Sequence, residues 1–223
     1  MKLIHNYDTF LFDLDGTLTD PGEGIVNSLL YSLSRMGIEE TDRDKLLTFI
    51  GPPLVDSFVN WYGFDDDQVV KAIAYYREFF RDKGLYQNIK FDGVETILEN
   101  LEKHGKKMFI ATTKPTVFAE RIADRFDFSR YFIEIVGSEL DGRRTKKDEV
   151  IKTIFDRHDL EKHRTIMIGD RLHDILGAKK NGIDSLGVGY GFGSRKELED
   201  AGADFYVDSI DELRMLLFGN QIS

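Results

Sequence analysis

The first clear pattern along the chain is a run of four residues, Thr9–Phe12 (TFLF), that stops abruptly at Asp13-Leu14-Asp15-Gly16-Thr17. A short apolar run closed by glycine and polar turn residues predicts a buried strand. Three more runs have the same form. Lys107–Ala111 ends in Thr112-Thr113-Lys114, Phe132–Val136 in Gly137-Ser138, and Thr165–Ile168 in Gly169-Asp170. Helical spacing lies between them. Val94, Ile97, Leu98 and Leu101 share a face that stops near Gly105, and Val150, Ile151, Ile154 and Phe155 form another. Pro115 suits an early helical position ahead of Val117, Ala119 and Ile122. Strands alternating with helices predict an α/β fold, a three-layer Rossmann-like parallel sheet covered on both faces.

Residues 20–86 break that rhythm and read as helices only. Their apolar positions are Ile25, Leu29 and Leu33, then Leu54–Trp61 after Gly51-Pro52-Pro53, then Val69, Val70, Ile73 and Phe80. The triplet Asp65-Asp66-Asp67 suits the N-terminus of the last helix through its dipole and needs no metal. The expected organisation is a core domain of residues 1–19 and 87–223 with a helical cap, 20–86, inserted after the first strand. The glycine-rich run Gly187-Val188-Gly189-Tyr190-Gly191-Phe192-Gly193 lacks G-x-G-x-x-G spacing and the βαβ context, so a flexible loop is expected there.

Composition narrows the classes. With 223 residues, 41% hydrophobic and 17 Phe, the chain has ample material for a packed core. Its 40 acidic residues outnumber 30 basic ones, giving a net charge of −10 and arguing against a nucleic-acid partner. The absence of Cys excludes a disulfide scaffold, a thiolate zinc site and a Cys nucleophile. The first residues lack the apolar run of a signal peptide, and no stretch approaches the ~18 apolar residues of a membrane helix. The expectation is a cytoplasmic protein without a membrane partner. Nothing in the sequence bears on oligomeric state.

In an open parallel sheet, ligands bind beyond the carboxyl ends of the strands. Asp13, Asp15, Thr112, Lys147 and Asp170 all fall there. Two carboxylates at one strand exit are costly to bury unpaired, and a divalent cation would compensate them, with hard oxygen ligands suiting Mg²⁺. An EF-hand loop fails as the explanation, because Gly16 follows Asp15 directly and a strand precedes the site. The five His are scattered, and His173 is expected to be exposed rather than a ligand.

The ordered set strand–DxDGT, strand–T, Lys before a helix, and strand–GDxxxD resembles the haloacid dehalogenase-like hydrolase superfamily over essentially the whole chain. Its motifs appear as Phe12-Asp13-Leu14-Asp15-Gly16-Thr17-Leu18, Ile110-Ala111-Thr112, a lysine at 147, and Gly169-Asp170-Arg171-Leu172-His173-Asp174. Where family members often continue Asn-Lys, this chain has Thr113-Lys114. The inserted helices and the Gly51-Pro52-Pro53-Leu54 turn resemble the phosphoglycolate phosphatase-like branch, whose cap occupies that position.

The resemblance implies a Mg²⁺-dependent phosphatase acting on a small phosphorylated metabolite, phosphoglycolate-like or a nucleoside 5′-monophosphate, through an aspartyl-phosphate. Asp13 would be the nucleophile and Asp15 the general acid and base. Mg²⁺ would be held by Asp13, Asp170 and the backbone carbonyl of Asp15, with Asp174 orienting the metal's water shell. Thr112, Thr113 and Lys147 would hold the phosphoryl oxygens. Lys147 is preferred to Lys146 because both cannot point into the cleft from one helix start. Arg171, where the family often has a smaller residue, offers a pair to a neighbouring carboxylate; Arg143, Arg144 and Arg171 receive no catalytic role. A sugar phosphomutase of the same superfamily is the alternative. A receiver-like signalling module is disfavoured, because its phospho-acceptor follows the third strand and a cap would have no role there.

Overall fold

Strand β1 (Thr9–Phe12) is buried along its whole length, as its apolar side chains demand. A computed structural model describes residues 5–219 of the chain, which divides into two units, one ending at Thr19 and resuming at Lys90, the other Asp20–Ile89. β2 (Thr19–Asp20) carries the chain out of the first unit. The second unit holds α1 (Gly22–Arg35), α2 (Arg43–Leu47), α3 (Leu54–Tyr62) and α4 (Asp66–Asp82). β3 (Ile89–Lys90) pairs with β2 where the chain returns. The first unit continues with α5 (Val94–Lys103), β4 (Lys107–Pro115), α6 (Thr116–Arg125), β5 (Glu134–Ser138) and α7 (Lys147–Arg157). It ends with β6 (Thr165–Gly169), α8 (Leu172–Asn181), β7 (Asp184–Val188), α9 (Arg195–Ala201), β8 (Phe205–Val207) and α10 (Ile210–Phe218).

The main sheet is parallel with strand order β5-β4-β1-β6-β7-β8. β1 is central. Phe12 lies opposite Ile110 of β4 and Ile168 of β6, so the residues that follow these three positions leave the sheet at one edge. The core beneath that edge contains Leu11, Phe109, Ala111, Val150, Ile151, Ile154 and Met167. The expected α/β Rossmann-like architecture is what the chain forms.

Three differences from the sequence reading have physical causes. The compact unit that holds the helices extends past the expected 86 to Ile89, because Gly24 donates its amide to the Gln87 carbonyl at 3.1 Å and Asn27 donates to the Gln87 side chain at 3.1 Å. β7, β8 and their helices went unread: β7 contains Asp184 and Gly187, and β8 has three residues. β4 runs four residues past Ala111, through an irregularity: Ala111 pairs with Val136 but Pro115 with Ser138, so β4 uses two more residues than its neighbour.

In the helical unit the acidic triplet has the local role expected. Asp65 caps α4, accepting the Gln68 amide at 2.9 Å while the Gln68 side chain accepts the Asp65 amide at 3.0 Å. The unit's interior is aromatic. Phe58 is fully buried and stacks on Phe64 at 5.7 Å, with Phe49 edge-on at 5.4 Å. Among the described residues, no helix is long and apolar enough to cross a membrane.

Candidate active site

Every strand exit named by the register carries a polar group. Asp13 follows β1, Thr112 lies at the bulge of β4, and Asp170 follows β6. Asp174, one turn into α8, faces back toward them. Carboxylate oxygens of Asp13, Asp170 and Asp174 lie within 4.8 Å of one another, and all three residues are buried. The ammonium of Lys147, 3% exposed at the start of α7, sits 2.9 Å from Asp13 Oδ1 and 2.7 Å from Asp174 Oδ1. It also donates to the Ala111 carbonyl at 2.8 Å. Three acceptor oxygens thus surround the ammonium. Of the two adjacent lysines only Lys147 turns inward; Lys146 is exposed.

Asp170 receives neutral donors. The Thr17 hydroxyl donates to Oδ1 at 3.3 Å and the Phe192 amide to Oδ2 at 2.8 Å. Gly16, at φ +82°, has no room for a side chain, since a Cβ would lie 2.2 Å from Asp170 Oδ2. The glycine-rich run closes the same packing from the other side. A Cβ on Gly191 would lie 2.3 Å from the Gly16 carbonyl, and the Tyr190 hydroxyl donates to the Thr17 carbonyl at 3.0 Å. The run is therefore not the free loop expected from its composition. Gly187 and Val188 belong to β7, and the rest is a turn shaped to grip the Asp13–Thr17 loop and Asp170.

Three buried carboxylates share one ammonium, and the imbalance favours protonation of the carboxyls. Burial, then Asp174 and Asp13, hold the Asp170 carboxyl well above its ordinary range. Burial raises Asp174 as well, against the pull of Lys147. Burial alone would lower Lys147, but Asp13 and Asp174 outweigh it and hold its proton more tightly than usual. A divalent cation fits this set. The donors are all carboxylate oxygens, close enough to share one ion, and the surplus is negative. Asp174, expected in an outer role, also has a carboxylate oxygen in this cluster. The Asp15 carboxylate is not; it is held instead by Lys114.

A family model of haloacid dehalogenase-like hydrolases matches residues 10–188. The chain belongs to this family. Relatives of this haloacid dehalogenase-like hydrolase carry several names. It is 49% identical over 211 residues to a 5′-nucleotidase from Pseudomonas aeruginosa, covering 95% of this chain and 96% of that one. It is 33% identical to the tyrosine-protein kinase PtkA of Mycobacterium tuberculosis, covering 93% of this chain and 71% of that one. The crystal structure of a predicted phosphatase from Clostridium acetobutylicum superposes with a TM-score of 0.90 at 46% identity, covering 93% and 96% of the two chains. This hydrolase is a phosphatase, acting on phosphoric monoesters.

Sequence reasoning missed parts of this hydrolase's site. Lys114 was given no role, and it is buried at the β4 bulge. Tyr190 and Phe192 were hidden in the glycine run, whose close glycine spacing was the available signal. Thr113 is half-buried on the bulge, between buried Thr112 and Lys114. Arg171 pairs with Glu197 at 2.9 Å, and the same carboxylate accepts the Leu172 amide at 2.9 Å. His173, expected to be exposed, is half-buried, and that burial lowers its affinity for a proton.

Proposed function

We propose that this phosphatase is Mg²⁺-dependent and hydrolyses small phosphomonoesters, nucleoside 5′-monophosphates first among them, through an aspartyl-phosphate on Asp13. The observation that carries the reading is the buried trio Asp13, Asp170 and Asp174 with a single lysine, Lys147, among them. Such a surplus of buried carboxylate is stabilising only with a cation and a phosphoryl group to complete it. The nucleotide preference rests on the similarity to the Pseudomonas aeruginosa 5′-nucleotidase.

The nucleophile is prepared by its hydrogen bonds. Lys147 and the Leu14 amide, at 2.9 and 2.7 Å, both hold Asp13 Oδ1, which leaves Oδ2 to attack phosphorus. As the Oδ2–P bond forms, the bond from phosphorus to the ester oxygen breaks, and Asp15 gives that oxygen a proton. Asp15 then takes a proton from the water that attacks the aspartyl-phosphate, so inorganic phosphate leaves and both carboxylates are restored. Thr112 and Lys147 hold phosphoryl oxygens through both steps. Asp13, Asp170 and Asp174 would hold Mg²⁺, which when bound neutralises phosphoryl charge and polarises the phosphorus centre. Asp13 and Asp170 would bind it most directly, with the backbone carbonyl of Asp15.

The test is phosphate release from a panel of phosphomonoesters containing nucleoside 5′-monophosphates, phosphoglycolate and sugar phosphates, with Mg²⁺ or with EDTA. Hydrolysis of the nucleotides that EDTA abolishes and Mg²⁺ restores is the expected result. Undiminished turnover in EDTA would remove the cation from the reading. A requirement for a sugar bisphosphate, or transfer to a protein hydroxyl in place of water, would replace hydrolysis by another phosphoryl transfer.

A further inference from the structure

Outside the Asp13–Asp170–Asp174 cluster, the α/β unit buries a second lysine. Lys114 Nζ pairs with Asp15 Oδ2, and the two side chains are 6% and 13% exposed. Burying such a pair is weak evidence for stability, because the desolvation of both ions offsets most of their attraction. Residues of similar volume and no charge would hold the fold as well. The pair therefore calls for an explanation in the work of Asp15.

The backbone is built to deliver this lysine. Between Ala111 and Pro115, β4 takes two residues more than β5, and a bulge of this kind re-aims the side chains it carries. The Lys114 amide bonds back to the Thr112 hydroxyl at 3.3 Å, tightening the bulge. On the neighbouring strand Gly137 leaves space for it, since a Cβ there would lie 2.2 Å from the Lys114 carbonyl oxygen. The two oxygens of Asp15 are consequently unlike. Oδ2 is engaged by the ammonium, whereas Oδ1 is buried and has no hydrogen-bond partner. A buried acceptor left open in this way is costly unless something comes to meet it.

We propose that Lys114 is the positioning residue of Asp15: it clamps Oδ2 and so presents Oδ1 to the ester oxygen of the substrate. The assignment rests on the reading of Asp15 as the group that protonates the leaving alcohol. Lys114 touches neither phosphorus nor the ester oxygen in this scheme. It fixes the rotation of the carboxyl, and with it the oxygen from which the proton is handed over. Loss of the clamp lets the carboxyl turn, so the cost falls on substrates whose leaving group needs a proton.

A double-mutant cycle in the full-length Mg²⁺-loaded enzyme tests this, using Lys114→Met, Asp15→Asn and their combination. The substrates are a nucleoside 5′-monophosphate, with its alkoxide leaving group, and p-nitrophenyl phosphate, whose leaving group departs unprotonated. Lys114→Met should slow release of the leaving group from the nucleotide, read in a single turnover before water attacks, by about 10-fold or more with KM little changed, and from p-nitrophenyl phosphate by less than about 3-fold. In the Asp15→Asn background the same change should cost less than about 2-fold, because it acts through a group already removed. Lys114→Arg keeps the cation and should recover part of this rate; it also serves if the Met variant fails to fold. A rise in KM with this rate unchanged would make Lys114 a substrate contact, and full additivity with Asp15→Asn would make it independent of Asp15. Either overturns the proposal. Equal losses on both substrates for Asp15→Asn alone in the single-turnover release of the leaving group, the step that precedes attack by water, would instead overturn the acid role of Asp15, on which the proposal depends.

Discussion

The helical unit and the rim of the parallel sheet use charged residues in opposite ways. In the helical unit several charges have a local structural use. Asp65 caps α4, Glu40 accepts from Lys45 at 2.7 Å and from Tyr62 at 2.8 Å, and the Arg35 guanidinium lies over the Tyr31 and Tyr75 rings. Its interior is left to residues such as Phe58 and Leu33. At the rim, Asp13, Asp170, Asp174, Lys114 and Lys147 are all buried and Asp15 nearly so; Asp174 also caps α8, accepting the Arg171 amide at 3.0 Å, but a cap does not need burial beside two further carboxylates. Charges placed where local rules want them report on folding. Charges buried against those rules report on a ligand.

The contrast breaks first at Asp13. Asp13→Asn keeps the shape and removes the nucleophile, so turnover should fall by at least ~10²–10⁴-fold. Because one of three crowded carboxylates is neutralised, thermal unfolding of the metal-free protein should not move downward. A large loss of stability in calorimetry would show that Asp13 serves the fold instead. Lys147→Ala comes next, with kcat/KM lowered roughly 10²-fold and, in EDTA, a destabilisation of about 3–5 kcal/mol because two buried carboxylates lose their partner. Lys146→Ala should stay within about 0.5 kcal/mol and near wild-type rate; kinetics and urea melts on the pair check both.

A smaller effect sharpens the other side. Asp65→Ala removes a cap and should cost about 1 kcal/mol in urea unfolding while leaving the Mg²⁺ requirement untouched. A changed Mg²⁺ titration would revive a metal role for the acidic triplet. The smallest effect lies at the far end of β1 from the site. Hydrogen bonds from Arg164 and then Lys106 hold the exposed Asp8 carboxyl at about 2, down from 3.8. Its contribution is present above 3.8 and lost as pH falls through about 2. Screening at the surface keeps it below about 1 kcal/mol. Asp8→Asn should therefore differ from wild type in stability at neutral pH and converge with it in acid; an unchanged gap across that range would mean that the pair contributes nothing through charge.

Much of this was legible in the chain, for identifiable reasons. β1 reads as a strand because both its faces are buried, and Asp13 and Asp170 stand out because nothing apolar explains carboxylates at the ends of such runs. Lys147 was separable from Lys146 because a helix start can send only one of two neighbours inward. Lys114 was not legible, since its burial comes from a register shift between β4 and β5 and from the missing Cβ of Gly137, both properties of two strands taken together. Tyr190 and Phe192 were obscured because close approach and loop freedom use the same residue, glycine. Only the distance from Gly191 to Gly16 tells them apart.

The central place of β1 has a consequence for how the chain acquires its fold. Thr9 lies opposite Lys107 on one side and Thr165 on the other, so neither neighbour of the first strand exists until long after it is made. At ~5–20 residues per second on the ribosome, about 5–20 seconds separate β1 from its first partner. Contacts within Asp20–Ile89 span at most that segment, so the helices can assemble while the strand waits. During that interval TFLF is an unpaired apolar edge, the kind of segment that chaperones bind and that aggregates when they are scarce. The strand that carries the nucleophile is thus the first part of the sheet to be synthesised and one that must wait for distant partners to be secured.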